Sequence, residues 1–304
     1  MLRYWRVFKR AGSDFIDDNG MKLSASLSYY TIFAIGPVLI IIISLAGLFY
    51  GKEAVQGKIY YQLNGLLGSS AALQVQEIIK NIEKSQFSAS GAILGFGVFL
   101  IGATGVFTEM QDSINYIWSV KAKPQKGWLK LLVNRVVSFS LIISFGFILL
   151  VSLIIHALVD LLHDRFVHLF DEVSVYFFQA VNYVLLLTII TVLFAIIFKV
   201  LPDARIKWKD ALIGAAFTSG LFIIGKFLIG LYIANSTIGV TYGAAASLVL
   251  ILLWVYYSSI ILYFGAEFTK VYALSYGSGI QPDKTAVFIL KQEVKEIDFD
   301  KLKK

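Results

Sequence analysis

Within SGLFIIGKFLIGLYIA, residues 219–234, a single ammonium group, Lys226, interrupts an otherwise apolar stretch. A charged lysine in the middle of a bilayer costs about 2.5–3.5 kcal/mol even on an insertion scale, so it needs a counter-charge, a cluster of carbonyls or water. Counting about 1.5 Å per residue back from Ala234 puts its Cα roughly 12 Å below the outer surface, close to the midplane. On a helical wheel Ala215, Ser219 and Gly230 fall within about 40° of it, while Phe217, Leu221, Ile224, Leu228 and Leu231 take the other side. This small-residue face is expected to turn inward. No Asp or Glu lies in the middle of an apolar run. Two readings therefore stand side by side: a wet cavity in which Lys226, with Ser219 and Gly230, meets an anionic group, or a structural lysine hydrogen-bonded to Ser, Thr, Tyr or backbone.

The other groups capable of chemistry are sparse. His156, His163 and His168 all fall at or beyond the outer face of the membrane reading below. In DLLHDRFVHLFDE, one helical face could collect Asp160, Asp164, His168 and Asp171, but the spacing matches no metal motif and suits a solvated polar face. No metal site and no cofactor is expected. Glu109, Asp112 and Glu267 lie at cytoplasmic helix ends, and running antiparallel spans level with one another places Glu267 near Arg205, Lys207 and Lys209. That cluster is expected to form interfacial salt bridges, with gating as a second role; exposed pairs of this kind contribute about 0–1 kcal/mol each. The chain has no cysteine, which excludes disulfides and thiol chemistry.

The elements that must position these groups are membrane spans. Of 304 residues 58% are hydrophobic and only 15% charged, and mean hydropathy is +0.74, far from the balance of a soluble domain. Apolar runs long enough for a hydrocarbon core of about 30 Å recur at 28–50, 89–108, 136–158, 180–200, 211–233 and 244–267. The first is read as an uncleaved span, since no small-residue cleavage site accompanies it. Of 27 Lys and Arg, 21 fall in the N-terminal segment, the 109–135 and 199–210 loops and the C-terminal segment. The positive-inside bias then puts both termini in the cytoplasm. A net charge of +7 distributed in this way answers to topology and anionic headgroups, not to nucleic acid.

Around the spans, LRYWRVFKRAGSDFIDD mixes Trp5, Phe8, Phe15 and Ile16 with Arg3, Arg6, Lys9 and Arg10, the pattern of a helix lying in the membrane interface. A short amphipathic helix is also expected over SSAALQVQEIIKNIEKS. Gly91, Gly95, Gly102 and Gly105 share one sector of the second span and predict close helix packing. Pro37 is expected to kink the first span. The organisation expected is an all-α polytopic bundle over residues 1–276, six transmembrane helices with short interfacial helices, followed by a mobile cytoplasmic tail over 277–304.

Four stretches resemble the YihY/BrkB family of bacterial inner-membrane proteins, whose old label is ribonuclease BN. They are SASLSYYTIFAIGP (24–37), ATGVFTEMQDSINYIW (103–118), LPDARIKWKDALIGAAF (201–217) and the long run from Gly225 to Phe268 that ends in GAEF. At Gly36 the chain departs from the family, where an aromatic often precedes the proline. The resemblance implies a six-helix protein of the bacterial cytoplasmic membrane in which transport is the activity to test. The residues argue against the nuclease label, because the cytoplasmic loops offer no metal-ligand spacing and the histidines face away from RNA. The expectation is a non-enzymatic transporter or flippase-like protein for an anionic solute or lipid headgroup, with membrane lipids as partners. The alternative is a non-transporting envelope scaffold or assembly factor.

Overall fold

The computed structural model describes residues 2–34, 72–73, 76, 105–123, 173–236, 238–242 and 246–291. Helix α1, Leu2–Asp17, ends in a tight corner: Asp18 and Asn19 cap its last turn through bonds to the carbonyls of Asp14 and Ile16. Asn19 takes a left-handed φ of 55° there, a conformation that asparagine tolerates better than most residues. Gly20 follows because a Cβ at that position would overlap the Phe15 ring. Helix α2 then occupies 20–34 and α3 occupies 105–117. After a turn comes strand β1, Val120–Ala122.

Helices α4, Val173–Val200, α5, Trp208–Ala234, and α7, Ala246–Ser275, are apolar on all sides, as a helix facing both neighbours and lipid must be. Among the described residues these three are long and apolar enough to cross a membrane. They account for the expected spans at 180–200, 211–233 and 244–267. The other three expected spans lie wholly or largely outside the described residues, as do Pro37, Gly91, Gly95, Gly102 and the three histidines. Helix α5 packs between α4 and α7, and α1 lies along α7. The short α6, Ile238–Tyr242, joins α5 to α7.

Two differences from expectation concern the end of the molecule where α4 stops and α5 starts. Helix α7 runs on to Ser275 instead of stopping near 267, because Glu267 and Lys270, which end the apolar run in sequence, are paired inside the protein. Residues 277–291, expected to begin a mobile tail, are packed against the body. Strand β3, Gln281–Pro282, pairs antiparallel with β2, Ala204–Arg205, with Ala204 opposite Pro282. Strand β4, Ala286–Phe288, pairs antiparallel with β1, Val120 opposite Phe288 and Ala122 opposite Ala286. Ile280 and Ala286 join Ile117, Trp118, Phe198, Leu201 and Ala266 in the main buried core. The core therefore sits at this loop-bearing end, while Ile224, Phe227, Leu228 and Leu231 farther along α5 are exposed.

Candidate functional site: a buried ionic cluster and a half-buried lysine

At the loop-bearing end, charged groups from three parts of the chain converge. Glu267 on α7 is fully buried, and its Oε2 lies 2.6 Å from Lys270 Nζ one turn along. The α1–α2 corner brings Asp14 and Asp18 within 3.6 and 3.5 Å of the same ammonium. Lys291, just past β4, reaches Asp18 at 2.5 Å. Both lysines also donate to the Ile117 carbonyl at the end of α3, at 3.0 and 3.4 Å, and the Lys291 ammonium stands 4.4 Å over the Tyr116 ring. The Glu267–Lys270 contact is an ion pair at hydrogen-bond distance. Burial alone would push the Asp18 carboxyl up. A hydrogen bond from the Glu267 side chain, the bond from Lys291 and the charges of Lys270 and Lys291 outweigh that and hold it below its ordinary value.

This arrangement corrects the expected cluster of Glu267 with Arg205, Lys207 and Lys209. Arg205 pairs instead with Asp283 at 2.5 Å, an exposed contact, and Lys207 and Lys209 point to the exterior. The start of α5 does lie opposite the end of α7: Asp210, buried in the first turn of α5, accepts bonds from Ser278 N at 2.9 Å and Ser278 Oγ at 2.6 Å. Because α7 continues eight residues beyond Glu267, the carboxylate sits about 12 Å deeper than those loop cations. Among the described residues no group of three or more His, Asp or Glu could hold a metal ion; the three acids here are faced by lysines.

The quoted sequence stretches meet at this end. Asn115, in the α3 stretch, and Asp203, in the loop between α4 and α5, bond reciprocally: Asn115 Nδ2 donates to Asp203 Oδ2 at 2.8 Å, and Asp203 N donates to Asn115 Oδ1 at 2.8 Å. Gln111 Nε2 adds a bond to Asp203 Oδ1 at 3.2 Å. Trp118 Nε1 donates to the carbonyl of Ala266, in GAEF, at 3.0 Å. Sequence reasoning missed Asn115, Asp203, Asp18 and Lys291. Asn115 and Asp203 each lie inside a stretch that carried the family resemblance, which was the available signal. Asn115 is buried, so Asn115→Ala, which removes the partner of the Asp203 N–H and of Asp203 Oδ2, is expected to lower stability by about 1–3 kcal/mol. The check is thermal unfolding of the detergent-solubilised variant beside wild type.

Farther along α5 the wheel reading holds in part. Ala215 and Ser219 are fully buried, with Ser219 Oγ donating to Ala215 O at 2.7 Å. Ile224, Leu228 and Leu231 are exposed, while Phe217 and Leu221, assigned to the same outer side, are half-buried. Phe217 is stacked on Phe268 of α7 at a ring separation of 3.7 Å, so α7 covers part of the face expected to meet lipid. Lys226 is half-buried, and a Cβ on Gly230 would meet open space. Of the four glycines expected to pack the second span, Gly105 is among the described residues, and a Cβ on it would come within 3.0 Å of the Tyr30 ring. A tighter contact, absent from the sequence reading, joins α5 to α7. Cβ atoms on Gly214 and Gly265 would overlap Thr269 and Thr218 respectively, and each threonine donates back to the glycine carbonyl four residues earlier in its own helix.

A family model described as Virulence factor BrkB matches residues 11–288. Among curated proteins, a UPF0761 membrane protein of Azotobacter vinelandii is 29% identical over 274 residues, covering 88% of this chain and 62% of its own length. One from Saccharophagus degradans is 27% identical over 268 residues, with 88% and 60% covered. One from Psychrobacter is 26% identical over 272 residues, with 88% and 48% covered. The chain thus spans about half to three-fifths of the length of these relatives. No solved structure matches it.

Proposed function

Since the chain belongs to the virulence factor BrkB family of membrane proteins, we propose that it is a six-span, non-enzymatic protein of the bacterial cytoplasmic membrane that moves an anionic solute or an anionic lipid headgroup. Both termini, and with them the ionic cluster, face the cytoplasm in this reading, as the distribution of Lys and Arg requires. The observation that carries it is Lys226, the only charged residue of α5 beyond Asp210, half-buried well inside an apolar helix. A cation kept at such depth against an insertion cost marks a pathway for negative charge. Ser219, two turns earlier, and Gly230, one turn later, leave the same stripe of α5 short of bulk.

The test is flux in proteoliposomes, with a fluorescent anionic phospholipid for the headgroup and an organic anion for the solute. Lys226→Met keeps side-chain length and helix propensity and removes the charge. It is expected to leave the melting temperature unchanged or raised and to lower flux about tenfold, the loss of roughly one good charge contact. Lys226→Arg, with charge kept and donor geometry altered, is expected to retain partial flux. A stable Met variant with full flux removes Lys226 from the mechanism. The buried ionic cluster favours a second reading, a membrane scaffold whose cytoplasmic end docks an envelope-assembly partner. In that case the wild type moves neither probe, and Lys226→Met is silent.

A further inference from the structure

Helix α1 has three faces. Val7, Ala11 and Phe15 are buried against the body, Arg6 and Arg10 are exposed on another side, and on the third the exposed Lys9 stands beside the uncovered Trp5 and Ile16, 64% and 73% exposed. A helix that offers large apolar groups beside a basic face lies at a membrane boundary. Between the first half of α1 and the adjoining α5 and α7 runs a groove of about 540 Å³, lined by Tyr4, Trp5, Phe8, Ile213, Phe217 and Phe268. That volume falls within the range of small-molecule sites. Its wall is built by ring packing: Phe8 meets Phe217 edge-on at 6.2 Å and Phe264 at 5.5 Å, and Trp5 stacks on Phe8 at 5.8 Å. The groove is therefore held open by its own aromatic groups.

Among the described residues no charged side chain lines it, but on two of its walls an exposed lysine lies one helical turn from a lining residue. On α5, Lys209, Ile213 and Phe217 follow one another at intervals of four, so the exposed Lys209 lies on the stripe that forms the groove, at its loop-bearing end. On α1, Lys9 follows Trp5 by four and is likewise exposed. A slot of apolar rings with an exposed cation one turn from its lining on two of its walls fits a molecule that is apolar along its length and anionic at its head.

We propose that this groove binds one acyl chain of an anionic phospholipid from the adjacent leaflet, with Lys9 and Lys209 holding the phosphate. The site is separate from Lys226 and stands whether or not the protein transports anything. It gives α1 a ligand-dependent seat, because the lipid chain fills the space between α1 and the two long helices.

The experiment titrates the delipidated, detergent-solubilised full chain with dioleoylphosphatidylglycerol, dioleoylphosphatidylcholine or inorganic phosphate. Native mass spectrometry reads the number bound, and scanning fluorimetry reads the melting temperature. One phosphatidylglycerol per chain is expected to bind tightest and to raise the melting temperature, with phosphatidylcholine weaker and phosphate alone without effect. The double variant Lys9→Gln/Lys209→Gln, at two exposed positions, is expected to fold normally and to bind phosphatidylglycerol about thirtyfold more weakly, the loss of two near-surface cations. Ile213→Trp, which fills the groove, is expected to lose the lipid; if it proves unstable, the charge variant alone decides. Equal binding of the two lipids, an unaffected charge variant, or an equal response to free phosphate would overturn the proposal.

Discussion

Lys270→Met is expected to lower the stability of the folded protein by about 3–5 kcal/mol, the usual consequence of removing one partner from a buried ionic group. Lys270 is the hub of its cluster, with Asp14, Asp18 and Glu267 all within 3.6 Å of its ammonium. Without it Asp14 keeps Arg10 at 4.0 Å and Asp18 keeps Lys291, but Glu267, which is fully buried, loses its paired cation and has no route to water. The lost bond to the Ile117 carbonyl loosens α3 from α7 as well. Thermal unfolding in detergent measures the effect, and the double variant Glu267→Gln/Lys270→Met distinguishes its cause. Removing the stranded charge as well is expected to recover a large part of the loss, giving a strongly non-additive cycle. A single variant that melts with wild type would show the cluster to be electrostatically idle.

Gly265→Val is expected to prevent α5 and α7 from closing. The clash concerns helix against helix: a Cβ on Gly265 would come within 2.7 Å of Thr218 Cγ2 and 2.9 Å of Thr218 Cβ, and it would overlap Oγ1. The mirror contact, Gly214 against Thr269, locks the register, so the helices cannot slide to make room at one point without a collision at the other. Overpacking of this sort costs about 1–3 kcal/mol in cores that can relax, and Val at a doubly locked contact belongs at or above the top of that range. The milder Gly265→Ala is expected to be destabilised by about 2 kcal/mol and to be rescued by Thr218→Gly. Thr218→Ala should rescue less, because the threonine Cβ itself lies within the forbidden distance. Yield of monodisperse protein and melting temperature are the readouts. Rescue by neither partner change would mean that the contact is not what brings the helices together.

The long helices were legible because their evidence is redundant: each is apolar on every face over many turns, and no competing structure satisfies so much backbone in lipid. Helix α1 was legible for a different reason, the coexistence of Trp5, Phe8 and Ile16 with four cations in one short segment. The two small sheets were not. A strand of two residues, Ala204–Arg205, contains no period, and its partner lies across the whole of α5 and α7 in sequence. The ionic cluster was half legible. Glu267 stood out as a carboxylate at the edge of an apolar run, but level-counting finds the cations nearest in height and cannot see that a corner after α1 and a segment after β4 both fold beneath it. The glycine–threonine contact was overlooked because each half is unremarkable alone; G-x-x-x-T becomes informative only when two copies are placed face to face.

The pairing of Lys291 with Asp18 closes a loop of 273 positions. Synthesis from the amino end makes the α1–α2 corner before α4, α5 and α7, and Asp18 waits for Lys291 until all three have been made. Insertion of α4, α5 and α7 into the bilayer can proceed span by span, but β4 and Lys291 arrive after the last of them. Closure of this end is thus a late event of biogenesis, slow in the way that contacts between distant parts of a chain are slow.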